Sequence, residues 1–349
     1  MKKIICILLP CILIVLSCSS CGNSKNKYYE KSNIVMDTEV TLNAYGANSK
    51  EAVEESFKRL DEINDMASTN IVTSDVYKIN NASGKEYVKV HPEILKMIET
   101  SLKYSKLSNG AFDITTGPII NLWGIGTDNE RLPSDEEIKA VLPLVGYDKI
   151  SINEDDGSVM LKEEGMAIDL GGIAKGFAAD EVLKIYKKYN IEDGLINLGA
   201  SSIYALGKNK DNKNWSIGIK HPRSEDPKEY LGIITLSNEA LSTSGDYERY
   251  FIKDNKRYHH IMDTKTGYPA DTGIMSDTII INGDEPDNNM LADLLTTAVF
   301  TLGPEKGLDL INSLPGVSCE ITTSDNKIYT SNDFKDRITK LNDDFKLVG

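Results

Sequence analysis

A carboxylate and a hydroxyl at helical spacing are the first residues of this sequence that could do chemistry. Asp293 and Thr297 stand four residues apart in the apolar segment 290–300. In a helix such residues lie on one face, and a helix that is apolar nearly all round is expected to be buried. A buried carboxylate needs a partner, and two converging oxygen donors suit a hard cation such as Mg²⁺. The alternative, which this segment alone favours, is that Asp293 accepts hydrogen bonds from a loop and Thr297 bonds a backbone carbonyl.

A glycine-rich turn that leads into a helix is the second candidate. Gly171 and Gly172 precede Lys175 in the segment 168–180. Glycines let the backbone approach a ligand, and the N-terminus of the following helix favours an anion such as phosphate. The spacing fits neither a Walker loop nor the GxGxxG dinucleotide fingerprint. A tight strand-to-helix turn without a ligand explains the pattern equally well.

Two other segments contain polar residues beside apolar or turn-forming ones. The segment 108–126 mixes turn formers with large apolar groups, and Asp113 in it is suited to accept from an adenine amino group or a ribose. An ordered connection anchored in the core by Trp123 is the alternative. Among the four histidines, His260 is the candidate general base because it is followed by an apolar pair and Asp263. A structural role for His260 remains open.

These residues must be positioned by helices and strands, which the hydrophobic periodicity predicts. Helices are predicted around 53–63, 94–102, 175–189, 290–301 and 304–313. Strands are predicted at 36–45, 159–161, 194–198, 203–206, 215–219, 231–236 and 277–282. Because strands and helices do not alternate regularly, the order favours an α+β fold with a mostly antiparallel sheet and packed helices.

Composition excludes several classes of function. The formal net charge is −14, which argues against binding to nucleic acid or to anionic lipid by charge. Only Cys319 lies outside the N-terminal region, so neither a disulfide framework nor a cysteine metal site is expected. No GxSxG segment indicates a hydrolase of that type.

The N-terminus is predicted to direct export. Lys2 and Lys3 precede a short apolar stretch, and the segment 15–18 resembles a lipobox ending at Cys18. We therefore predict a signal peptide over 1–17, a lipidated Cys18, a flexible tether over 18–31 and a single domain over 32–340. Cys21 as the lipidated residue and an uncleaved N-terminal anchor are the alternatives. Each places the folded part outside the cytoplasmic membrane.

Six segments in a fixed order resemble the ApbE family, the FAD:protein FMN transferases, from about Ile34 to Leu314. The matching segments are MDTEVTLNAYG, SNGAFDITTGPIINLWGIG, IDLGGIAKGFAAD, LSTSGDYERYF, HHIMDTKTGYPA and MLADLLTTAVFTLG. The resemblance implies an ApbE-like, T-fold-related architecture with FAD as substrate and Mg²⁺ as cofactor. It implies metal ligation by Asp293, Thr297 and the Gly172 carbonyl, and a role for His260 in activating the acceptor hydroxyl. It places FAD contacts at Met36, Asn70, Ala111, Phe112, Asp113, Asp169, Lys175 and Met262.

Three positions depart from the family pattern. Asn70 stands near the place where the family usually has a tyrosine stacked on the flavin ring. After Asn197 and Leu198 the family usually has a glycine pair followed by Asp or Asn, whereas this sequence has Gly-Ala-Ser-Ser at 199–202, with one extra residue. Thr264 replaces the usual proline after Asp263, which we interpret as a change in turn stiffness.

The resemblance implies transfer of FMN from FAD to a Thr or Ser hydroxyl of an exported acceptor flavoprotein, with release of AMP. An FAD pyrophosphatase that uses the same site is the alternative. A non-catalytic flavin-binding lipoprotein is a weaker one, because it needs neither the Asp293–Thr297 pair nor His260. The expected location is the outer face of the cytoplasmic membrane, and the expected membrane contact is the lipid anchor alone.

Overall fold

The computed structural model describes residues 27–283, 285–331 and 334–348. The predicted signal peptide over 1–17, Cys18 and Cys21 lie outside the described residues. Within the described ranges, no helix is both long enough and apolar enough to span a membrane.

The described residues form sixteen strands and eight α-helices. The helices are α1 (Ser49–Ala67), α2 (Asp75–Asn81), α3 (Pro92–Leu107), α4 (Gly117–Trp123), α5 (Asp135–Val141), α6 (Ala174–Lys188), α7 (Asn288–Leu302) and α8 (Pro304–Asn312). The first eight strands are β1 (Tyr28–Val35), β2 (Thr38–Tyr45), β3 (Val88–Lys89), β4 (Ile150–Asn153), β5 (Ser158–Leu161), β6 (Asp193–Leu198), β7 (Ser202–Leu206) and β8 (Trp215–Lys220). The others are β9 (Tyr230–Leu236), β10 (Glu239–Gly245), β11 (Tyr250–Lys253), β12 (Lys256–His259), β13 (Ile274–Asn282), β14 (Val317–Thr323), β15 (Lys327–Thr330) and β16 (Lys346–Val348).

Nine of these strands form one sheet in the order β1-β2-β6-β7-β10-β13-β14-β15-β16. Every pairing in it is antiparallel except that of β15 with β16. The predicted α+β class with a mostly antiparallel sheet is therefore confirmed. The predicted helices and strands are all present. The elements that were not predicted are helices α2, α4 and α5 and strands β1, β3, β4, β10 to β12 and β14 to β16.

The folded part extends beyond the predicted boundaries at both ends. Tyr28 already pairs with Tyr45, so the last four residues of the predicted tether belong to strand β1. At the other end, strand β16 pairs with β15 beyond residue 340. Phe334 and Phe345 are buried in a second core beneath the β8–β9 hairpin. The C-terminal segment is therefore part of the fold, because it covers apolar surface that would otherwise face water.

The two faces of the sheet support different cores. Along β13, Ile279 and Ile281 belong to the main core, which also contains the buried faces of α1, α6 and α7, whereas Ile280 belongs to the second core. This alternation follows from the two-residue period of a strand. Helix α7 consequently lies on the sheet between α6 and strands β10 and β13.

An aromatic core outside the sheet holds the β11–β12 hairpin. The Trp123 Nε1–H donates to the Gly267 carbonyl at 2.8 Å. The Trp123 ring lies 5.5 Å from Tyr258 and 5.6 Å from Tyr268. Offset and edge-on aromatic pairs at such distances are favourable beyond the area they bury. The residues around 260 are thus positioned by Trp123, which confirms it as a core anchor.

Asp277 in β13 is a fully buried carboxylate whose two oxygens have no hydrogen-bond partner among the described residues. It lies opposite Ser244 and Ile321, on the same face as Ile279. Burial, reinforced by Glu320, raises the pKa of Asp277 well above its usual range. Burial also raises the pKa of Glu320 to about 7. Because a buried unpaired charge is costly, folding favours the protonated form of the Asp277 carboxyl.

We expect Asp277→Val to raise the free energy of unfolding at pH 7 by about 1–3 kcal/mol, since it removes an unsatisfied buried polar group. The folded-state pKa of Asp277 lies above the unfolded-state pKa. The stabilising contribution of this carboxyl is therefore fully present below the unfolded-state pKa of about 4, and it is lost as pH rises through the folded-state pKa. Urea unfolding at pH 5 and pH 7.5 should show a shallower decline in stability for the variant. Asp277→Asn is the control, because it removes the titration but keeps a polar group. Equal pH dependence in all three proteins would contradict the assignment.

Candidate functional site

The site is built where the start of helix α6 packs against helix α7. A Cβ at Gly176 would lie 2.2 Å from the Asn289 carbonyl oxygen and 2.7 Å from the Asp293 Cβ, so only glycine fits at this crossing. Asp180 fixes the start of α7 by accepting from the backbone N–H groups of Asn289 and Met290. Burial raises the pKa of Asp180 to about 6. The close helix contact brings residues of the glycine-rich turn beside Asp293.

The Asp293 carboxylate is buried but is not fully satisfied by the protein. Only 4% of the Asp293 residue surface is exposed. Oδ2 accepts from the Gly176 N–H at 3.0 Å and Oδ1 from the Ser242 hydroxyl at 3.3 Å. A carboxylate offers about four lone-pair directions, so capacity remains on both oxygens. Asp293 thus accepts protein hydrogen bonds, as in the alternative interpretation, but from helix α6 and strand β10 and not from a loop. These bonds leave room for a cation as well.

Thr297 and Gly172 offer two further oxygens. Thr297 Oγ1 makes no hydrogen bond within the described residues, and a Cβ at Gly172 would lie 3.2 Å from it. The Gly176 N–H, which in a regular helix would donate to the Gly172 carbonyl, donates to Asp293 instead. The Gly172 carbonyl accepts no other hydrogen bond in the part of the chain that is described. Carboxylate, hydroxyl and carbonyl oxygens are ligands that Mg²⁺ accepts, so the residues present fit such an ion.

Two predicted FAD contacts, Phe112 and Asp113, are neighbours in the loop that packs against this turn. Phe112 is buried, and a Cβ at Gly172 would lie 3.3 Å from its ring. Asp113 is engaged locally: Oδ1 accepts from the Thr115 N–H and hydroxyl, and Oδ2 from the Tyr147 N–H at 2.8 Å. Burial raises the pKa of Asp113. The carboxylate therefore shapes the loop, and its predicted contact with FAD stays a prediction.

Asp169 and Lys175 lie at the two ends of the glycine turn. Asp169 Oδ1 accepts from the Gly171 N–H at 2.7 Å, while Lys175 Nζ donates to the Gly171 carbonyl at 3.1 Å. Both side chains are partly exposed. The ammonium group is thus held over the turn without an ion pair among the described residues, where it can meet an anion.

His260 faces the same region from the β11–β12 hairpin. Its backbone N–H donates to the Arg249 carbonyl at 3.1 Å, and Nδ1 lies 3.3 Å from the same oxygen. A carbonyl only accepts, so Nδ1 carries the proton and Nε2 keeps a free lone pair. Burial, with the charges of Arg249 and Lys175 and the ring of His259, lowers the pKa of His260 to about 3. The imidazole is therefore neutral, as a general base must be.

The remaining predicted contacts lie in three different environments. Met36 is partly buried in the β1–β2 turn with a left-handed φ of 54°. Met262 is buried in the aromatic core. Ala111 is buried beside Phe112. Asn70 is exposed in the α1–α2 loop, and its side chain has no hydrogen bond within the described ranges.

Thr264 does more than change the stiffness of its turn. Its hydroxyl donates to the Gly110 carbonyl at 2.6 Å, which ties the His260 loop to the loop that contains Phe112. A proline at this position would lack that donor. The threonine therefore couples two segments of the site, which the sequence pattern did not indicate.

Three residues of the site were missed in the sequence. Gly176 and Ser242 contact Asp293, and Arg249 orients His260. All three lie inside segments that the sequence analysis singled out, and the glycine is the fourth residue after Gly172. Their position inside these segments was the only indication in the sequence, because each acts through a contact that local sequence does not encode.

The comparisons with known proteins cover this whole arrangement. Residues 36–321 match the sequence profile of the ApbE family. A Klebsiella pneumoniae (strain 342) protein named FAD:protein FMN transferase is 31% identical over 325 residues, covering 93% of this chain and 98% of the relative. A Vibrio cholerae protein of the same name is 32% identical over 299 residues, covering 84% and 86%.

Solved structures show the same likeness. The crystal structure of an ApbE protein from Thermotoga maritima has a TM-score of 0.81 and 33% identity, covering 90% of this chain and 100% of that one. The flavin transferase ApbE from Vibrio cholerae has a TM-score of 0.78 and 28% identity, covering 89% and 99%. The residues 36–321 that match the family profile include the glycine turn, helix α7 and the His260 loop.

Proposed function

The chain belongs to the ApbE family, and on that premise we propose that it is an FAD:protein FMN transferase that depends on Mg²⁺. It moves FMN from FAD to a Thr or Ser hydroxyl of an acceptor flavoprotein and releases AMP. The observation that carries this proposal is the group of oxygens from Gly172, Asp293 and Thr297 beside Lys175 and a neutral His260. The oxygens suit a hard cation, the Lys175 ammonium suits a phosphate ligand, and His260 suits an acceptor hydroxyl as its base.

The protein's own residues explain how the substrate is held. The Lys175 ammonium, held over the glycine turn, binds the pyrophosphate of FAD. The turn at Gly171 and Gly172 lets these oxygens approach the backbone because neither residue has a Cβ. Asp293, Thr297 and the Gly172 carbonyl would hold a Mg²⁺ ion, which would supply charge stabilisation to the phosphate oxygens. Such local positive charge is needed in a chain with a net charge of −14.

The transfer then needs a base and an in-line geometry. The acceptor hydroxyl oxygen forms a bond to the FMN-side phosphorus, and the bond from that phosphorus to the bridging oxygen breaks. The bridging oxygen leaves with AMP, while the hydroxyl proton moves to His260 Nε2. Positioning and electrostatics provide most of the acceleration in phosphoryl transfers. The hydrogen bond from Nδ1 to the Arg249 carbonyl supports this role by fixing the imidazole tautomer.

We also propose that the acceptor is exported and that the enzyme is anchored by a lipid on Cys18 at the outer face of the cytoplasmic membrane. The support is the lipobox-like segment 15–18 after a short apolar stretch. Labelling of cells with a palmitate analogue would test it: the full chain should be labelled, and a Cys18→Ala variant should not. Labelling that persists in Cys18→Ala and is lost when Cys21 is replaced would show that Cys21, not Cys18, is the lipidated residue.

The reaction itself is tested with protein that lacks residues 1–21. We expect FAD, Mg²⁺ and an FMN-binding acceptor protein to give a covalent FMN adduct on the acceptor, seen by intact-mass spectrometry and absent with EDTA. FMN and AMP without an adduct would favour the pyrophosphatase. An absence of FAD turnover with several acceptors would support a binding protein instead.

A further inference from the structure

Arg249 differs from every other arginine of the chain in having no carboxylate partner. The sequence contains six arginines, and all lie within the described residues. Five form ion pairs with carboxylates, namely Arg59, Arg131, Arg223, Arg257 and Arg337. Arg249 makes no side-chain hydrogen bond or ion pair within those residues. Arg249 is exposed, so its guanidinium is open to solvent and to a ligand.

The acids closest to Arg249 in the sequence are already engaged. Asp246 accepts a two-pronged pair from Arg223 at 2.7 Å for each contact, and Arg257 approaches it at 3.3 Å. Glu248 lies 3.4 Å from the Lys220 ammonium. The Arg249 guanidinium is therefore left without an internal anion, although acids flank it in the sequence.

The backbone and stem of Arg249 are nevertheless held in place at the site. Its carbonyl accepts from the His260 N–H and imidazole. Its side-chain stem packs over Gly126, where an added Cβ would lie 3.1 Å from the Arg249 Cδ. Gly126 has a left-handed φ of 79°. A glycine at this position thus provides the floor for the arginine stem, and the guanidinium extends from a fixed base beside His260.

We infer that Arg249 is a catalytic residue of the proposed transfer, whose guanidinium binds the oxygens of the phosphoryl group that receives the acceptor hydroxyl. This inference rests on the proposed function. A planar guanidinium matches two phosphoryl oxygens at once, which an ammonium group cannot do. With Lys175 on the opposite segment of the site, Arg249 places positive charge where negative charge develops during transfer. The same charge acts on His260, since Arg249, Lys175 and His259 all lower its pKa, after burial as the first cause.

The test compares Arg249→Ala, Arg249→Lys and Lys253→Ala. Lys253 is an exposed cation on the same hairpin, so its variant matches the loss of charge. We expect Arg249→Ala to lower kcat by roughly 10²–10³-fold, as loss of one preorganised donor does elsewhere. Arg249→Lys should recover part of the rate, and Lys253→Ala should stay within about twofold of the parent, as for other surface changes.

Chemical rescue separates catalysis from structure. Guanidinium chloride at low millimolar concentration should raise the rate of Arg249→Ala, whereas equal sodium chloride should not. A merely structural arginine would give no rescue and a matching fall in thermal stability, which would overturn the inference. So would an Arg249→Ala rate equal to that of Lys253→Ala.

AMP release is the readout, because both transfer and FAD hydrolysis produce AMP. If the parent protein releases AMP without forming an adduct, the transferase proposal fails while the Arg249 comparison still stands. If the parent forms the adduct and Arg249→Ala forms it at the same rate, only the Arg249 inference fails.

Discussion

Asparagine in place of Asp293 should leave the protein folded and lower Mg²⁺-dependent transfer by roughly 10³-fold. A bound metal stabilises transition-state charge by several kcal/mol, and each 1.36 kcal/mol is tenfold in rate. Asn keeps an oxygen to accept from the Gly176 N–H and removes the negative charge that binds the ion. The adduct rate should be measured at increasing Mg²⁺ concentrations.

Alanine at this position is a poorer test than asparagine. It would leave the buried Gly176 N–H without its acceptor, at a cost of about 1–3 kcal/mol. Thr297→Val is the companion variant, because it removes only the hydroxyl. Wild-type Mg²⁺ dependence in the Asn variant, with unchanged thermal stability, would reject the metal site.

Glutamine in place of His260 should lower the rate of transfer by about 10²–10⁴-fold, the usual contribution of a general base. FAD binding should change little, because the base contacts the acceptor hydroxyl and not the nucleotide. Flavin fluorescence would report binding, and the rate of adduct formation would report chemistry. A parallel loss of both would indicate that His260 instead shapes the pocket.

The pH dependence gives a second readout for His260. In the free protein its pKa is lowered to about 3 by burial and by Arg249, His259 and Lys175. The folded site therefore keeps the imidazole neutral at pH values where an ordinary histidine, with a pKa near 6.5, is protonated. Bound pyrophosphate offsets the charges of Arg249 and Lys175, so the pKa should rise in the complex. We expect the acid limb of kcat to lie at higher pH than that of kcat/KM for FAD, and the His260→Gln profile to lose this limb.

The local sequence predicted most elements of the site because its patterns are short-range. The i, i+4 spacing of Asp293 and Thr297 correctly placed both on one face of α7. The glycine turn before Lys175 was likewise visible as a turn that leads into helix α6, although the residues just before it, 166–170, form no strand. Periodicity failed where short strands carry few residues, as at β11, β12 and β16, because two to four residues give no reliable period.

Tertiary structure alone decided how these patterns meet. The contact of Gly176 with Asp293 crosses 117 residues, and the bond between Thr264 and Gly110 crosses 154. Neither a propensity nor a spacing encodes such contacts. They follow from the packing of α6 on α7 and of the aromatic core on the hairpin. The sequence by itself determined the α+β class and indicated the candidate oxygen donors and the candidate base. Only folding decided that the Gly172 carbonyl loses its helical partner and that Arg249 is left without an acid, because both depend on which distant groups compete for the same atoms.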